Sequence, residues 1–126
     1  MPTYDEALAL FEKRRQAWLR EDVDAYLALW ADDMTFQSPV HTEPMGRAAF
    51  AALIRQSAAF SRPLRFDFDH LAVHGSMVLA EWTIAIERRD SGQRIECRGM
   101  SFAEIRDGLI VTWREYWNPL VVVPRS

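Results

Sequence analysis

The sequence predicts an α+β domain in which three helices come first and pack on one face of a curved antiparallel sheet. Apolar residues in the first half recur at helical spacing, and after Pro63 the pattern changes to strand-like alternation. The last third, residues 95–117, sets Asp107-Gly108 between two alternating runs. That is a strong hairpin signal, because Gly108 adopts φ > 0 where other residues resist it. At 126 residues the chain suits one domain spanning 1–126, and a chain of this size buries roughly two-thirds of the surface it exposes when unfolded.

Each element has a local cause. Thr3 and Glu6 have capping-box spacing, and Leu8, Phe11, Trp18 and Leu19 follow as the stripe of a first helix that Arg15 interrupts. Asp22 reads as the N-cap of a short second helix through Val23, Tyr26, Leu27 and Trp30, ending near Asp32-Asp33. A short strand over 34–40 then stops where Pro39 and Pro44 bracket a polar loop containing His41 and Glu43. A third helix begins after Gly46 and carries Phe50, Leu53, Ile54, Ser57 and Ala58 on one stripe until Pro63 ends it. Strands over 64–73 and 76–88 meet at Gly75, and Asp90-Ser91-Gly92 leads into the final hairpin.

The length of that last turn decides where Glu115 points. A two-residue turn puts Met100 and Phe102 on the face of Trp113 and Glu115, whereas a three-residue loop closed by Gly108 as a bulge puts Gly99, Ser101 and Ala103 there. The second choice sets small residues against bulky Trp113 and Trp117, as an interdigitated or cavity-bearing layer requires. It is the one adopted here.

Composition excludes several function classes. A hydrophobic content of 49%, five Trp and seven Phe are incompatible with disorder, and no apolar run approaches the length of a membrane span. With a net charge of −3 and no basic block longer than Lys13-Arg14-Arg15, nucleic acid is not an expected partner. The single cysteine, Cys97, allows no internal disulfide and reads as a small buried hydrophobe; with no apolar leader at the N-terminus, the expected address is cytoplasmic.

The order of elements, together with WADDMTFQSP, PMGRAAFAALI and RGMSFAEIRDGLIVTWREYW, resembles the nuclear transport factor 2-like superfamily, particularly its SnoaL-like branch. The resemblance covers nearly the whole chain. It implies a cone-shaped α+β barrel enclosing an apolar pocket, in a homodimer formed through the other face of the sheet. In the related ketosteroid isomerases the general base would fall at Ser38, the acid of the oxyanion hole at Ser101 and a helix-one tyrosine at Arg14, so all three catalytic positions differ. In the limonene epoxide hydrolases a Trp-Arg-Asp-Tyr segment is similar to Trp113-Arg114-Glu115-Tyr116, while the other two polar partners would fall at Trp82 and Ile84.

Glu115 is thus the leading candidate for a general acid/base, with His41 and Ser38 as further catalytic candidates near the expected pocket mouth. The alternative for Glu115 is a pairing with an arginine at the rim of the sheet. Trp82, Ile84 and Ile86 share a strand face, and in this fold they would line the pocket with Trp18, Trp30, Phe36, Phe50, Ile54, Ser101, Trp113 and Trp117. Asp67, Asp69 and His70 could suggest a metal, but Asp67 and Asp69 alternate with Phe66 and Phe68 as on a strand with one wet face, so neither a metal nor another cofactor is expected. The implied partner is an apolar, ring-bearing small molecule. The functional expectation is acid–base isomerisation, cyclisation or hydrolysis; a binding protein without chemistry and a dimeric interaction module are the alternatives. Two or more polar groups inside the pocket would favour the enzyme.

Overall fold

The computed structural model describes residues 1–122. Helix α1 (Tyr4–Leu19) opens with the expected capping box: Thr3 Oγ1 accepts from the Glu6 amide, and Glu6 Oε1 accepts from the Thr3 amide, each at 3.1 Å. Its buried face is Ala7, Leu10, Phe11, Arg14 and Ala17, with Trp18 beside it. Leu8, expected on the stripe, is 44% exposed, and the arginine on the apolar face is Arg14, not Arg15.

Helix α2 (Val23–Leu27) is capped by Asp22, whose Oδ1 accepts from the Ala25 amide. It is shorter than expected, because Trp30 opens strand β1 (Trp30–Ser38). The Ile110 amide donates to the Leu29 carbonyl and Trp30 aligns with Ile110, so a partner distant in sequence overrides a helical local pattern. The segment expected to be a polar loop is strand β2 (His41–Met45) at one edge of the sheet. Helix α3 (Arg47–Phe60) follows Gly46 and buries Phe50 completely. Pro63 does not end it; the helix stops at Phe60, and Pro63 lies within strand β3 (Ser61–His74). Pro44 and Pro63 both occupy edge strands, where the missing N–H costs least.

Strands β4 (Met77–Arg88), β5 (Arg94–Arg106) and β6 (Leu109–Trp117) complete a six-stranded open sheet of order β2-β1-β6-β5-β4-β3. Neighbours are antiparallel except β1 and β6, which run parallel. The β5–β6 register pairs Gly99 with Trp117, Ser101 with Glu115 and Ala103 with Trp113, so small residues do face bulky ones. The cause differs from the expected one. Arg106 pairs directly with Leu109 across a two-residue turn with Asp107 at φ 53° and Gly108 at φ 77°, both left-handed. The register shifts afterwards, between Glu104 and Ile105, where β6 carries an extra residue as a bulge. No described helix is long and apolar enough to cross a membrane.

The curved sheet wraps the three helices, giving the α+β architecture expected of the nuclear transport factor 2-like fold. The main core is built of interlocked rings: Trp30 and Phe50 have centroids 4.5 Å apart, Phe36 and Phe50 4.8 Å, and Phe11 and Trp113 5.5 Å.

Candidate functional site

Between the helices and the concave face of the sheet lies a mainly apolar cavity of about 320 Å³. Its walls follow from strand alternation and helix spacing. Trp82, Ile84 and Ile86 project from one face of β4, Phe36 and Ser38 from β1, and Glu115 and Trp117 from β6, while Phe50 and Ile54 project from α3 and Trp18 from α1. His41 joins the lining from β2.

Glu115 is the polar centre. The indole Nε1–H of Trp113 donates to its Oε1 at 2.9 Å, and that of Trp117 donates to its Oε2 at 2.8 Å. Both bonds come from residues two positions away, because period-two alternation puts the three side chains on one face. The carboxyl keeps partial accessibility because it faces the cavity, yet enough protein surrounds it for burial to raise its pKa above the ordinary glutamate value. The Arg14 charge and the two indole bonds oppose that shift without cancelling it. Among the described residues no cation lies within ion-pair distance of Glu115, so the rim salt bridge is not what holds it.

Ser38 and His41 are joined across the β1–β2 turn, with Ser38 Oγ 3.1 Å from His41 Nδ1 and accepting from the Val40 amide at 3.3 Å. Trp82 is pinned from two sides. Its Nε1–H donates to Ser101 Oγ at 2.7 Å, and its ring lies across Gly99, where a Cβ would stand 2.5 Å from the indole. Trp18 meets Phe66 edge-on at 5.2 Å.

Of the residues singled out in the sequence, Trp18, Phe36, Ser38, His41, Phe50, Ile54, Trp82, Ile84, Glu115 and Trp117 are brought together around the cavity. Trp30, Ser101 and Trp113 are not among its lining residues: Trp30 and Trp113 fill the solid core, and Ser101 sits buried behind Trp82. Trp113 still acts on the site through its bond to Glu115.

Among the lining residues absent from the sequence-derived site, Arg14 and Tyr26 are the buried polar ones. Arg14 is only 5% exposed, with its guanidinium carbon 4.2 Å from the Trp113 ring centroid and 5.2 Å from those of Tyr26 and Phe66. Tyr26 is 3% exposed, and burial raises the pKa of its phenol, opposed by the neighbouring Arg14 charge. The available signal was an arginine at helical spacing between Leu10 or Phe11 and Ala17 or Trp18, on the side that must face the sheet.

Residues 11–113 match the SnoaL-like domain over most of the chain. The chain belongs to the SnoaL-like family. A relative in sequence is the uncharacterised protein YesE of Bacillus subtilis strain 168, 26% identical over an alignment of 133 residues that covers 97% of this chain and 88% of that protein. Among solved structures, a Bacillus subtilis protein provisionally named an isomerase superposes with a TM-score of 0.86 at 26% identity, covering 97% of this chain and 93% of the other. An LEH-like epoxide hydrolase from M. tuberculosis superposes with a TM-score of 0.78 at 25% identity, covering 93% of this chain and 86% of the other. Similarity to proteins named for different reactions fixes the SnoaL-like fold and leaves the chemistry to the residues of the site.

Proposed function

We propose that this SnoaL-like protein is a cofactor-independent isomerase, cyclase or hydrolase in which Glu115 moves a proton on an apolar, ring-bearing substrate. The supporting observation is how the carboxyl is held. Each oxygen receives an indole N–H, and an indole N–H is donor only, so neither tryptophan can accept a proton from Glu115. The proton that Glu115 gains or loses is therefore exchanged on the side facing the cavity. The same bonds fix the carboxyl orientation, and burial moves its pKa toward neutrality, where one group can serve as both base and acid.

Arg14, Ser38 and His41 join Glu115 in the lining, and more than one polar group in a mainly apolar pocket favours an enzyme over a passive binder. The test is turnover by Glu115→Gln on any substrate found by screening cyclic ketones, lactones and epoxides. Glutamine keeps the shape and an acceptor but carries no titrating proton. Turnover should fall by about 10²–10⁴-fold while ligand affinity is retained. Full activity in the variant would remove Glu115 from the mechanism, and binding without turnover in the wild type would leave a binding protein.

A homodimer is part of the same proposal. Met77, Leu79, Met100 and Tyr116 are each more than a third exposed on β4, β5 and β6, and register places Met100 beside Tyr116 and Leu79 beside Phe102. An apolar patch of this kind is covered in most soluble proteins. Light scattering should give twice the mass of the chain, and a monomer at micromolar concentration would contradict it.

A further inference from the structure

Arg14 has a feature that the proton-transfer reading does not use. It is nineteen-twentieths buried and lines the cavity, yet its Nε and Nη1 have no hydrogen-bond partner, and no carboxylate among the described residues lies within ion-pair distance of it. A guanidinium stays charged at any pH a protein tolerates. Three aromatic rings lie around it and offset part of its desolvation, and the Tyr26 hydroxyl is a hydrogen-bonding neighbour, but Nε and Nη1 are left without an acceptor.

The acids near the site are otherwise engaged. Glu115 accepts from two indoles and, although the Arg14 charge reaches it, forms no ion pair with Arg14. Asp22 caps α2, and Glu21 pairs with Arg89. The cavity therefore contains a buried guanidinium that no carboxylate of the described residues pairs with, inside walls that are mainly apolar.

We propose that Arg14 is the recognition residue for an anionic ligand, and that the cavity takes a compact apolar ring bearing a carboxylate, with the carboxylate at Arg14 and the ring against Phe66, Trp82 and Ile84. This rests on the reading of the cavity as the ligand site and names the class of molecule that occupies it. A carboxylate supplies acceptors to an orphaned guanidinium and cancels its charge in a medium of low dielectric, where such a pairing is strongest. A neutral amide of the same shape supplies one acceptor and no charge. Placing the anion at Arg14 leaves Glu115 free to act on the ring.

The test is a binding comparison that requires no turnover. Benzoate, cyclohexanecarboxylate and 2-naphthoate are titrated calorimetrically into the wild-type protein beside their primary amides, and then into Arg14→Gln and Glu115→Gln. At least one carboxylate should bind the wild type about ten-fold or more tightly than its amide, because a charge-assisted bond to a buried guanidinium is worth that much. Arg14→Gln should abolish the preference while leaving amide affinity in place, and Glu115→Gln should retain it. The Arg14 Nε–H resonance in the wild type should also move on titration with the carboxylate and not with the amide, a readout that does not depend on the variant folding. If no carboxylate outbinds its amide, including the case in which nothing binds, or if Arg14→Gln keeps the preference, the proposal is overturned. A retained carboxylate preference with an active Glu115→Gln would defeat the proton-transfer reading alone.

Discussion

The two apolar clusters of the molecule use the same residue types to opposite ends. In the larger one, Phe11, Phe50, Trp30 and Trp113 pack ring against ring at tilted angles, with Phe50 also bordering the cavity, and position is set mainly by packing; the Trp30 Nε1–H is buried there with no acceptor. In the smaller one, Phe66 and Trp82 pack with Trp18, Trp117 and Ile84 and border the cavity. Two of its aromatic side chains are held by hydrogen bonds, Trp82 to Ser101 and Trp117 to Glu115. A ring that borders empty space has partner atoms on one side only, so a directional bond does the positioning that packing does elsewhere. The larger cluster is mostly packed solid, whereas the smaller one stands along the cavity wall.

Truncation in the filled cluster should therefore cost most. Phe11→Ala should destabilise by about 3–5 kcal/mol, read as a large fall in the urea midpoint, because Phe11 is fully buried between Phe68 and Trp113. Gly99→Ala sits at the boundary between the clusters. Its Cβ would meet the Trp82 indole at 2.5 Å and the Tyr116 carbonyl oxygen at 2.9 Å, so Trp82 must move and the bond to Ser101 must lengthen. Overpacking of this kind costs about 1–3 kcal/mol, and the change should also weaken binding of any cavity ligand. Trp117→Phe should cost less, about 1 kcal/mol for the lost bond. Because that bond holds the Glu115 pKa down, its removal should raise the pKa further, measurable by carbon-detected NMR.

The smallest effect is a pH dependence. Glu115 has a folded pKa above its unfolded value, so between the two the native state binds more protons than the unfolded chain, and stability falls as pH rises through that window. Glu115→Gln has no such penalty. The stability difference between variant and wild type should move in the variant's favour from about pH 4.3 upward and level off once Glu115 is ionised in the folded state. A difference that does not change with pH would mean that burial does not control this carboxyl.

The same contrast explains what the sequence made legible. Caps are local chemistry, and Thr3, Glu6 and Asp22 act as their spacing indicates. The face of Glu115 was also legible, through the complementarity of Ala103 with Trp113 and Gly99 with Trp117, although the bulge that sets it lies in β6 and not in the turn. Alternation does not locate that bulge, since Leu109, Ile110 and Val111 are three apolar residues in a row and any of them could face the core. Trp30 continued a helical stripe and became a strand because β6 pairs with it. Arg14 entered only as the position of the isomerases' helix-one tyrosine, while the helical stripe pointed to Arg15 as its interruption. Which arginine is buried depends on the rings around it, and those come from α2, β3 and β6.

The central claim is that Glu115 is a desolvated acid whose proton is exchanged with the cavity, and titration of its side-chain carboxyl carbon tests this most directly. The account predicts a midpoint above the roughly 4.3 of a free glutamate, with the Trp113 and Trp117 indole N–H resonances shifting at the same midpoint because both donate to that carboxyl. A midpoint at or below the free value, or indole resonances that do not respond to it, would contradict the account.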